Sequence, residues 1–127
     1  MSPNIKRGEI YWVDFEPVRG SEQGRLRPAL VIQNDVGNRY SPITIVIPLT
    51  SRVPEKPYPQ NVLFEAGVAG LPKNSELVTN QIRAVDKSRV QDRLGSVPDK
   101  LMEAVERAIL LTLGMESYTR FVRNDYT

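Results

Sequence analysis

Arg27 and Thr50 stand where a folded chain has little structural use for them. Arg27-Pro28 opens onto the apolar run Ala29-Leu30-Val31-Ile32, and a second run, Ile43 to Leu49, empties into Thr50-Ser51-Arg52. A guanidinium at the mouth of a buried strand is costly unless something anionic needs it there. Its planar fork of donors matches phosphate oxygens, and a threonine hydroxyl adds one more donor. Two strand ends so equipped suggest a phosphate site without a metal, because their neighbours offer no cage of ligands. Just upstream, Gly20 and Gly24 bracket the short polar loop Ser21-Glu22-Gln23, which hands over through Arg25 and Leu26 to Arg27.

The sequence contains neither histidine nor cysteine. That removes the usual general base near neutral pH, the commonest metal ligand, thiol chemistry and any disulfide framework. A catalyst built from this chain must work with Arg, Lys, carboxylates, hydroxyls and backbone groups. The formal net charge of +2 is too small to argue for a nucleic-acid partner by itself, but 12 of the 17 basic residues are arginine. Arginine suits phosphate and base edges. It also suits an ordinary soluble surface, so composition alone does not decide the partner.

At 127 residues, 40% of them hydrophobic, the chain is long enough for one domain with a real core. A single domain over residues 1–127 is expected, with its core at 5–114 and a tail over 115–127. No apolar run approaches the roughly 20 residues that cross a bilayer. Met1 to Arg7 lacks the apolar segment of a signal peptide, so a cytoplasmic protein without membrane contact is expected.

Strands are predicted over Glu9 to Phe15, Ala29 to Gln33, Ile43 to Leu49 and Asn61 to Glu65. A further strand over Glu76 to Val85 should bend near Asn80-Gln81. The second strand is apolar on both faces, as a central buried strand would be. Asn34 to Asn38 is turn chemistry opening one helical turn, and Val53 to Gln60, with three prolines, is an exposed loop. Ser96-Val97-Pro98-Asp99 has the form of a helix start with Ser96 as cap. Leu101, Met102, Val105, Ile109 and Leu113 then fall on one helical face, and Gly114 ends the helix. Short strands and irregular loops at this spacing predict an α+β chain, mainly β: a small, strongly curved antiparallel sheet or partial barrel, with the helix packed on it.

Taken in order, these segments resemble the MazF/PemK family of toxin ribonucleases from toxin–antitoxin modules. The resemblance is carried by Arg7 to Phe15, Gly20 to Pro28, Val31-Ile32-Gln33-Asn34-Asp35, Val46 to Ser51 and Gln81 to Lys87, and it covers residues 5 to 114. It implies an SH3-like barrel with a C-terminal helix, a homodimer, and metal-independent, cofactor-free cleavage of single-stranded RNA, usually mRNA, at short sequences. Matched by position, Arg27 and Thr50 are the family's catalytic pair. Ser21, Glu22 and Gln23 match the loop bordering the RNA groove, and Gln81 matches a groove residue. Asn80 stands where some relatives carry Glu. The partner implied is a small MazE-like antitoxin whose acidic, flexible tail folds into the basic groove and excludes RNA.

In such a site the 2′-hydroxyl of RNA attacks the adjacent phosphorus, leaving a 2′,3′-cyclic phosphate and a 5′-hydroxyl. Arg27 would face the nonbridging oxygens and Thr50 would donate its hydroxyl to the same oxyanion. A guanidinium stays protonated in proteins and is a poor proton acceptor, which leaves Glu22 as the candidate. Phe15, Trp12 and Tyr40 are candidates for base stacking. Trp12 and Phe15 point to opposite faces of a regular strand, so at most one lines a groove. Arg25, Arg52 and Arg83 are either groove lining or solvated charge, and Asp86-Lys87 reads as a surface turn. Two other functions fit a small barrel: a non-catalytic nucleic-acid adaptor, which needs neither Arg27 nor Thr50, and a toxin that poisons a topoisomerase. If charge stabilisation dominates, Glu22→Gln keeps near wild-type cleavage while Arg27→Ala loses several hundred-fold, about the worth of one oxyanion donor. A large loss in Glu22→Gln with RNA binding intact marks it as the base.

Overall fold

Ile10, Leu30, Ile47 and Leu49 alternate along the chain with Tyr11, Ala29, Val31 and Val46, and both sets are buried. Side chains on a strand alternate between faces, so one sheet carries two apolar faces here. The computed structural model describes residues 4–15, 26–53, 55 and 60–118. Its regular elements are β1 (Glu9–Asp14), β2 (Leu26–Val31), α1 (Asp35–Tyr40), β3 (Ile43–Thr50), β4 (Val62–Phe64), β5 (Ser75–Leu77), β6 (Arg83–Asp86), β7 (Val90–Ser96) and α2 (Asp99–Thr112).

The strands pair antiparallel in the order β4-β5-β3-β2-β1-β7, with β6 also on β3. On one face Ile10, Leu30, Ile47, Leu49 and Leu77 pack with Met102 and Val105 of α2. The other face holds Tyr11, Val13, Ala29, Val31 and Val46, closed over by Val85 and Val90. Those last two flank the Lys87–Arg89 turn that joins β6 to β7, so the sheet must curl to bring them in. The β1–β7 register slips twice, between Ile10, Tyr11 and Val13, and such bulges bend a strand. The result is a curled, mainly antiparallel half-barrel with a C-terminal helix on one face, as the sequence pattern predicts.

Three local expectations change. Glu76 to Val85 is not one strand: β5 and β6 are separated by a helical turn at Thr79–Gln81, at the place where a bend was expected. Ser96 is not the helix cap. It ends β7 opposite Glu9 and accepts a hydrogen bond from Arg93 Nη2 at 2.6 Å, while Pro98 occupies the cap position without a side-chain bond. Pairing of β7 with β1 outweighs the local capping signal. The strand β7 itself escapes the pattern because only Val90 of its seven residues is buried.

The helix follows its predicted stripe except at the end, where Leu113 is exposed beyond the last turn. Gly114, at φ +74, closes it: Met115 N–H reaches Leu110 O at 2.7 Å and Gly114 N–H reaches Leu111 O at 3.1 Å. That is the left-handed glycine stop.

Arg7 ties three elements together. Its backbone N–H donates to Asp35 Oδ1 at 2.7 Å, its Nε to Ile32 O at 3.2 Å and its Nη2 to Glu106 Oε2 at 2.6 Å. The Arg7 N–H, then the Asn38 amide, hold the Asp35 carboxyl below its ordinary range. A lowered value means a contribution present above the unfolded pKa of about 3.9 and lost as pH falls through the folded one. The stability gap between wild type and Asp35→Ala is therefore expected to be full at pH 6 and to shrink steadily below about pH 4, as read by urea titration. Gly70 makes a second anchor, at φ +76, where a Cβ would sit 2.1 Å from the Leu94 carbonyl oxygen. Gly70→Ala should cost about 1–3 kcal/mol or more, seen as a lower urea midpoint.

Candidate active site

Two prolines shape one end of the sheet. The β2–β3 ladder runs Val31↔Val46, Leu30↔Ile47, Ala29↔Pro48 and then stops. Pro28 has no N–H to give, so the next rung, which would join it to Leu49, lacks its β2 donor, while Pro48 turns its carbonyl the other way, to Val78 N–H at 3.1 Å. Two residues further along each strand lie Arg27 and Thr50. They share the register of the ladder beyond its last rung. Arg27 is exposed and pairs with Val13 of β1; Thr50 is half-buried and pairs with Glu76 of β5. The Thr50 hydroxyl accepts a hydrogen bond from the backbone N–H of Arg52 at 3.2 Å.

Parity places more residues on this face. Arg27 alternates with Ala29 and Val31, and Thr50 with Pro48 and Val46, so both belong to the face of the second core. Phe15 packs against that core too, and the Arg83 guanidinium lies 5.2 Å from the centre of its ring. Arg83 pairs with Val46, which sets it on the same side. A guanidinium over a phenyl ring forms a flat, cationic plate of the kind on which a nucleobase stacks. Trp12, on the opposite parity, is half-buried.

The remaining sequence candidates fall as follows. Gln81 and Asn80 are exposed on the turn between β5 and β6, alongside β3, to which both strands pair. Tyr40 is 74% exposed on α1 and carries Arg39 against its ring at 5.3 Å, apart from the Arg27–Thr50 end. Arg52 is exposed two residues beyond Thr50. Ser21, Glu22, Gln23 and Arg25 lie outside the described residues. The chain leaves β1 at Asp14 and enters β2 opposite it at Leu26, at the Arg27 end. Asp86 and Lys87 form a turn: Ser88 N–H donates to Asp86 Oδ1 at 2.9 Å and holds that carboxyl below its ordinary range, while Lys87 Nζ donates to the Asn38 carbonyl.

Sequence reasoning missed Glu76. It is 3% exposed, in a strand whose three residues are all buried, directly opposite Thr50. The available signal was a carboxylate flanked by Ser75 and Leu77 inside an apolar-leaning run. Among the described residues no group of three or more acidic side chains converges to hold a metal ion, and no helix is long and apolar enough to cross a membrane.

Residues 6–113 match the family described as PemK-like, MazF-like toxin of type II toxin–antitoxin system. The chain is 40% identical to endoribonuclease EndoA of Bacillus subtilis over 87% of its own length and 96% of that protein's. It is 42% identical to endoribonuclease MazF of Staphylococcus saprophyticus over 89% of its length and 94% of that protein's. Its fold overlays a chain of the MazE-MazF crystal structure (Form-II) from Deinococcus radiodurans with a TM-score of 0.73 at 30% identity, covering 89% of this chain and 98% of that one. With a family match over nearly all of the described fold and two relatives at 40% identity or more, this chain belongs to the PemK-like, MazF-like toxins of type II toxin–antitoxin systems.

Proposed function

We propose that this chain, an endoribonuclease by its family, cuts single-stranded RNA at the Arg27–Thr50 cleft without a metal or other cofactor. The observation that carries the reading is the end of the β2–β3 ladder at Ala29↔Pro48, with an arginine and a threonine in matching register beyond the last rung. The nucleophile is the substrate's own 2′-hydroxyl, so the chain needs no histidine or cysteine. Attack on phosphorus forms the O2′–P bond, expels O5′ and leaves a 2′,3′-cyclic phosphate beside a 5′-hydroxyl. Arg27 faces the nonbridging oxygens, where charge grows in the transition state, a role worth about 2.7–4 kcal/mol for one preorganised donor. Thr50 is the second group at the reacting centre.

Phe15 with Arg83 is the stacking plate for a base next to the cut, and Arg52 and Gln81 line the approach. By the family resemblance, Ser21, Glu22, Gln23 and Arg25 add contacts to the RNA. A groove of arginines also suits the acidic tail of a MazE-like antitoxin, which folds on binding and competes with RNA for the same cations. The working form is a cytoplasmic homodimer of single-domain chains.

Incubation of the purified protein with a long single-stranded RNA in EDTA, followed by end mapping, tests the reading. Fragments ending in 2′,3′-cyclic phosphate and 5′-hydroxyl are expected, with a DNA strand of the same sequence untouched. Arg27→Ala should be slower by about 10²–10³-fold. RNA that is bound but left whole would point to the adaptor function instead.

A further inference from the structure

We propose that Glu76 is the proton acceptor of this site, acting through the hydroxyl of Thr50; the proposal rests on the ribonuclease reading above. Among the described residues, Glu76 Oε2 is the one buried side-chain oxygen or nitrogen without a hydrogen-bond partner. Burying a carboxylate oxygen unpaired is among the more costly things a small fold can do, and fully folded proteins rarely leave such a group without a use. Glu76 sits in the middle of β5, directly opposite Thr50 on one side and Leu63 of β4 on the other. Residues directly opposite on antiparallel strands share a face, with Cβ atoms about 4.5–5.5 Å apart. A threonine hydroxyl and a glutamate carboxylate bridge that gap by side-chain rotation alone.

Thr50 is half provided for. Its oxygen accepts from Arg52 N–H, and among the described residues its own hydrogen has no acceptor. Glu76 is the acceptor that the register supplies. With its hydrogen turned toward Glu76, Thr50 offers its oxygen's remaining lone pair to the 2′-hydroxyl, and Arg27 alone holds the oxyanion. The step then balances. The 2′-hydroxyl proton passes to Thr50 Oγ1 as the Thr50 hydrogen passes to Glu76 Oε2, and the freed O2′ pair forms the bond to phosphorus. The P–O5′ pair leaves on O5′, which takes a proton from water, and Glu76 returns its proton to solvent by the same route. Glu76 touches no substrate; it is a positioning and proton-accepting residue behind Thr50. This role needs no contribution from Glu22.

The test measures cleavage and stability together on the full chain with a single-stranded RNA carrying one mapped cut site. Glu76→Gln keeps the shape and removes the acceptor, and should lower kcat by about 100-fold with KM within twofold. In a Thr50→Val background the same substitution should cost less than about threefold, because the relay is already broken. Glu76→Leu should be as inactive as Glu76→Gln yet melt at the same temperature or higher, since the unpaired oxygen is gone. Glu76→Gln with kcat within threefold of wild type overturns the proposal and leaves the ribonuclease reading standing. A Glu76→Leu protein that loses melting temperature and activity together, with costs that add to those of Thr50→Val, marks Glu76 as structural and also overturns it. Failure of the wild type to cut any RNA would remove both readings at once.

Discussion

β3 bonds to three other strands and is buried from both sides, so it cannot slip by one residue without turning both cores inside out. β2 runs along one side of it. On the other side β6 pairs with its first half, from Ile43 to Val46, and β5 with its last two residues. That single register therefore decides which residues lie toward its far end: Arg27 beyond the last rung to β2, Glu76 on the bonded strand, and Arg83 with Phe15 further back on the same face. No loop has to be ordered for these groups to share a surface. The site is a by-product of strand pairing, which gives it the stiffness of the sheet.

Much of this was legible in the residues. The two-faced apolar runs of β2 and β3 announced central strands, and the three- and four-residue steps of α2 announced a helix that covers the sheet. Arg27 and Thr50 stood out because a charge and a hydroxyl ended runs that were otherwise apolar. Other features were hidden for a physical reason. β7 carries one buried residue, so its strand identity comes from β1 and not from its own pattern. Ser96 looked like a helix cap because the signal for a cap is local, while the competing demand, pairing with Glu9, lies 87 positions away in sequence. Glu76 was invisible as a site residue because only the β3–β5 register shows what it stands beside.

Two buried polar side chains show how differently depth can be used. Asn38 is 3% exposed, and its amide is satisfied throughout: its oxygen accepts from Gln33 Nε2 and Thr44 Oγ1, and its nitrogen donates to Gln33 O and Asp35 Oδ1. It cements α1 to β3. Glu76 is equally deep, and one of its oxygens is bonded to nothing. The first arrangement stabilises a fold, and the second leaves an acceptor open, the use proposed for it behind Thr50.

Pro28 also sets where the molecule breathes. Amide protons protected by the ladder are concentrated toward Val31 and Val46, and the Arg27–Thr50 end offers none between the two strands. Separating β2 from β3 there breaks no rung between them, while pairing to β1 at Val13 and to β5 at Glu76 keeps each strand in the sheet. A strand pair built this way behaves like a zip with a stop sewn in before its last teeth.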